Sequence, residues 1–220
     1  VSGGTRDDRS GRRAFDEHSQ GPRLINAAIL EHDAQQPLHA KSVYCVAFWV
    51  DMQTSGASIL LPHLNYQSDS DVVELTVHLS SRDVDIYSSQ PQRLLVPRSG
   101  PSWNKTRFDF RPRHAGSTEV TAFFFRQNNF LAGMTLQLNV DTPGAAIADA
   151  QSLGRAPDAA FMLEPREVSL VIKHASTGGF DVTAVGTVAT EARLAVDLEK
   201  LDSMLRGVRQ ALHEIVYLGR

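Results

Sequence analysis

Residues 118–126 read Thr-Glu-Val-Thr-Ala-Phe-Phe-Phe-Arg, and the three consecutive phenylalanines constrain the fold more than any other stretch. The run has the composition of a strand, and successive side chains of a strand point to opposite faces. Val120, Ala122 and Phe124 then share one face, and Thr121, Phe123 and Phe125 share the other. Burying one Phe side chain is worth about 1.5–3 kcal/mol, so leaving Phe123 and Phe125 in water would forgo much of what holds such a fold together. The strand therefore needs an apolar layer on both sides. One comes from its own core; the other comes from elsewhere in the chain or from a partner.

The surrounding sequence supplies the first layer. Residues 106–112, TRFDFRP, direct Thr106, Phe108 and Phe110 inward and Arg107, Asp109 and Arg111 outward. Residues 72–81 alternate in the same way, with Val73, Leu75, Val77 and Leu79 on one side. Residues 130–140 place Met134, Leu136, Leu138 and Val140 against Thr135, Gln137 and Asn139, and 23–30, 43–52 and 92–97 are further short, β-rich runs. Period-two segments at this spacing, separated by Gly, Pro and Asn turns and free of helical period, predict a mainly β chain with an Ig-like antiparallel β-sandwich over 23–141.

On either side the texture changes. Residues 1–22 are Gly, Ser and charge without periodicity and read as a flexible leader; 142–158, rich in Ala, Gly and Pro, read as a linker. From 159 to 220 a small ββα unit is expected, in form the start of a further domain. Its two strands lie at 167–175 and 179–189. Its helix carries Leu198, Leu201, Leu205, Val208, Leu212 and Ile215 as one apolar stripe.

Composition narrows the function. A formal net charge of −3 disfavours nucleic acid as a partner, although residues 93–126 hold seven basic side chains (Arg93, Arg98, Lys105, Arg107, Arg111, Arg113 and Arg126) and the C-terminal part is acidic. These two stretches either meet each other or face different partners. Cys45 is the single cysteine, which permits no internal disulfide and fits a reducing, cytoplasmic compartment. No apolar run approaches the roughly 20 residues of a membrane span.

Residues with chemical potential are scattered. Cys45, flanked on its face by Val43, Ala47 and Trp49, reads as a structural thiol. The eight histidines occur singly and without the spacing of a metal motif, and no phosphate-binding or nucleophile-elbow motif is present, so neither cofactor nor metal is expected. Asp69, Asp71 and Glu74 read as a solvated start of a strand. A hydrolase would need His32, His63 or His114 to meet a carboxylate in space. A carbohydrate-binding sandwich would need Trp103 exposed.

The order Phe108-Asp109-Phe110-Arg111-Pro112, Gly116, then Leu136, Leu138 and Val140, followed by EVSLVIKHASTGGFDVTA and an amphipathic helix, resembles the non-catalytic β-sandwich modules that accompany bacterial caspase-like CHAT peptidases and related signalling and conflict effectors. The resemblance implies an accessory region and not the peptidase, whose His–Cys pair belongs to a later α/β domain. The expectation is a non-catalytic interaction or scaffolding module that meets a protein partner or a downstream effector domain. Phe123 and Phe125, rimmed by Arg107 and Arg111, are the expected contact, against either the ββα unit or another protein.

Overall fold

The computed structural model describes residues 22–62, 64, 66, 70–155, 164–174, 178–186, 189–195 and 198–213. Apart from Pro22, the expected leader lies outside the described residues, as do His63, Asp69 and Ile215.

The alternating runs become strands. In chain order these are β1 (Leu24–Leu30), β2 (Tyr44–Asp51), β3 (Ala57–Leu60), β4 (Val72–Ser80), β5 (Val84–Ile86), β6 (Gln92–Pro97), β7 (Thr106–Pro112), β8 (Gly116–Arg126), β9 (Asn129–Val140), β10 (Ile147–Arg155), β11 (Ser169–His174), β12 (Phe180–Val185) and β13 (Ala189–Leu194), followed among the described residues by the helix α1 (Leu198–His213). Two five-stranded sheets, ordered β3-β1-β2-β7-β5 and β10-β9-β8-β4-β6, make the antiparallel sandwich that the alternation predicts. The strands β11-β12-β13 form a third, C-terminal sheet.

The two large sheets share one core. Phe108 and Phe110 enter it from β7, Val46, Phe48 and Val50 from β2, and Val120, Ala122 and Phe124 from β8. Phe48 meets Phe124 edge-on across the layers, with ring centroids 6.0 Å apart, in the T-shaped arrangement that aromatic quadrupoles favour. The β8–β9 hairpin closes through Gln127 and Asn128, both at positive φ (49° and 58°). Such a turn matches the right-handed twist of the strands it joins.

Two boundaries differ from expectation. The 142–158 segment is not only a linker, because β10 occupies 147–155 and extends the second sheet beyond β9. Ile147 and Ala150 pack on the main core, yet they are three residues apart, across a register shift between Ile147 and Asp149. A bulge of this kind breaks the period-two signal that marks a strand. The C-terminal unit has three strands before its helix, not two. The 179–189 run divides near Gly186, where a Cβ would meet the Glu167 carbonyl oxygen at 2.7 Å, and the chain returns as β13 in full register with β12. Among the described residues no helix is long and apolar enough to cross a membrane.

Candidate functional site: the seam between sandwich and C-terminal sheet

The outer face of the second sheet is built by register. β4 and β8 place His78 opposite Phe123 and Thr76 opposite Phe125, and β9 places Gly133 on the other side of Phe123. Phe123 and Phe125 are 2% and 0% exposed. They form a second apolar cluster with Val185, edged by Phe130, Leu153, Val171 and Ala189. The covering layer is thus β11–β13, helped by β10. Gly133 permits this closure, since a Cβ there would lie 2.8 Å from the Leu153 carbonyl oxygen.

Polar contacts fasten the edges of this cluster. The Asn128 side-chain amide donates to the carbonyls of Arg166 (2.7 Å) and Glu167 (3.2 Å), and the Arg166 Nε donates to Asn129 Oδ1 at 2.9 Å. At the opposite end Lys173 pairs with Glu119, and Arg82 pairs with Asp181. His78 Nε2 lies 3.3 Å from Glu191 Oε1. Burial would push the Glu191 carboxyl up, but hydrogen bonds from His78 and Ser80 and the charges of His78 and Arg82 outweigh it and hold the group below its ordinary range. Between the two layers a polar cavity of about 650 Å³ remains, lined among others by Ser81, Arg82, Glu119, Lys173, Asp181 and Glu191.

The polar groups of this site are arranged as facing pairs. In a nucleophilic triad the imidazole stands between hydroxyl and carboxylate. Here the imidazole of His78 meets the Glu191 carboxylate through Nε2 at 3.3 Å. His78 is 4% exposed, and its Nδ1 is buried without a hydrogen-bond partner. Among the described residues no three His, Cys, Asp or Glu side chains converge as a metal site.

The four residues that the sequence groups as one contact are divided. Phe123 and Phe125 belong to β8 in the second sheet, whereas Arg107 and Arg111 project from the outer side of β7 in the first. The arginines therefore do not rim the phenylalanines: alternation assigns a side chain to the outside but not to one of two outsides. Arg111 and Arg113 each bond Asp85 at 2.9 Å, and these bonds, Arg111's first, hold the Asp85 carboxyl below its ordinary range. Arg93 and Arg98 face Glu74 and Asp71 within the sandwich, which also accounts for most of the acidic cluster before β4.

The remaining candidates are spread over the surface. Cys45 is half-buried on β2; burial first, then Asp109's hydrogen bond and charge, push its thiol up and away from nucleophilic character. His32 contacts the Gln36 carbonyl at 3.0 Å and Tyr44 edge-on. His114 lies 3.5 Å from Asp83 in an exposed pair. Trp103 is 66% exposed.

Alternation passed over His78, Asp181 and Glu191 because polar residues at outward positions of a strand look the same whether water or a second sheet lies beyond them, and Arg82 because it lies between β4 and β5, where no period applies. The paired phenylalanines of β8 were the available signal. The other side of β11–β13 is unlike the seam: register puts Leu170 and Ile172 beside Ala184 and Val182, and Phe180 beside Leu194. Leu170, Ile172 and Leu194 are 64%, 61% and 48% exposed. No family model and no curated protein matches the chain.

Proposed function

We propose that the chain is a non-catalytic interaction or scaffolding module of a multidomain cytoplasmic signalling effector, of the kind its resemblance to the accessory regions of bacterial CHAT peptidases implies. The observation that carries this reading is the outward apolar row Leu170, Ile172 and Leu194, extended by the exposed Val168. The inner face of that sheet is committed to the sandwich, so its outer face is the surface left for an effector domain. Contiguous exposed apolar patches on soluble domains mark interaction sites. The seam would hold the sheet in a fixed attitude, and the sandwich would act as its rigid base.

The test is binding of the whole chain to the effector domain of the same system, with and without Leu170→Glu/Ile172→Glu. Lost binding with an unchanged thermal melt supports the reading; retained binding contradicts it. A ligand-binding sandwich is the second reading, carried by the exposure of Trp103. It expects Trp103 fluorescence to shift with an oligosaccharide, and no shift across a glycan panel would dismiss it.

A further inference from the structure

The apolar positions of the last segment, Leu198, Leu201, Leu205, Val208, Leu212 and Ile215, alternate spacings of three and four without a slip. Two core positions in seven make a narrower seam than a helix needs to lie on a globular core, and this is the pattern of helix pairing. The segment is helical over Leu198–His213. In the middle of the seam Leu205 and Val208 are 48% and 57% exposed, and Met204 beside them is also exposed.

The flanking residues select the occupant. Counting Leu198 as the first core position of a heptad, one edge of the seam carries Asp202 and Arg209 and the other carries Met204 and Ala211. When two identical helices run antiparallel, each edge meets its own sequence reversed. Asp202 then faces Arg209 of the second copy, twice by symmetry, and the opposite edge joins small or apolar residues. A parallel pair would instead set Met204 beside Arg209 of the second copy, so Arg209 would gain no opposite charge. Asp202 already accepts from Arg206 one turn on, and a carboxylate has acceptor sites for both partners.

We propose that the chain forms a two-fold dimer by antiparallel pairing of α1 with α1 of a second copy. Leu205 packs on Val208 of the second copy, and Asp202 pairs with Arg209 across the edge. A C2 interface of this kind is self-complementary by construction. The proposal stands independently of what the outer face of β11–β13 binds, and a dimer presents that face twice.

Sedimentation of the whole chain over a range of concentrations tests it. The wild type should show a monomer–dimer equilibrium. Leu205→Glu/Val208→Glu should be monomeric, with the melt of the sandwich unchanged. Asp202→Arg alone should weaken dimerisation at least about tenfold, and adding Arg209→Asp should restore it. Positions 202 and 209 lie two turns apart on one helix, so they meet each other only across the pair. A wild type that stays monomeric throughout, a dimer that survives the Leu205→Glu/Val208→Glu change, or a double swap no better than the single one would each overturn the proposal.

Discussion

Phe123 stands between His78 on β4 and Gly133 on β9, and this short row holds most of what the seam does at the residue scale. The ring supplies apolar area, the glycine supplies room for β10 to approach, and the imidazole reaches Glu191 of the covering sheet. Phe123→Ala should cost about 3–5 kcal/mol, since it removes area and leaves a cavity between two layers; equilibrium denaturation measures it. Glu191 gives the seam a pH dependence. Its carboxyl is lowered in the folded chain from an ordinary 4.5, so its contribution is fully present above that value and is lost as pH falls through the lowered one. Proteolysis of β11–β13 should accelerate on acidification below the ordinary carboxylate range, and Glu191→Gln should flatten that acid response. Alternation alone revealed which way Phe123 points. The charge pairs around it were illegible, because Arg82, Asp181 and Glu191 acquire their meaning only when two segments about a hundred residues apart are laid face to face.

At the scale of elements, legibility follows the strength of the period. β4, β7, β8 and β9 alternate large apolar residues with polar ones, and each forms close to where the pattern sets it. β10 was hidden by its register shifts and by small residues, and β13 by a sequence whose one large apolar residue is Leu194. β10 nonetheless matters to the seam through Leu153. Gly133→Ala drives a Cβ against the Leu153 backbone, so the strands must separate. A loss of about 1–3 kcal/mol is expected from such overpacking, read as a lowered melting temperature. In α1 the reverse holds. A Cβ at Gly207 would meet nothing, and Gly in a helix interior costs about 0.8–1.0 kcal/mol relative to Ala. Gly207→Ala should therefore raise helical circular dichroism without touching the apolar seam of the helix.

For the whole molecule, three layers replace the two of a simple sandwich. The first sheet and the inner face of the second enclose the main core, and the outer face of the second sheet takes the C-terminal sheet as its cover. The proposed interaction surface is displaced accordingly, from the β8 phenylalanines to the far side of β11–β13, where Leu170, Ile172 and Leu194 are exposed. Whether the seam is a permanent layer decides the account, and hydrogen exchange on a Phe123→Asp/Phe125→Asp variant tests it most directly. Two buried charges in place of two rings cannot be accommodated against Val185, so the variant should lose amide protection throughout β11–β13 and melt at a lower temperature than the wild type. Unchanged protection of those strands together with an unchanged melt would contradict the account, and would return Phe123 and Phe125 to the surface as a site for another protein.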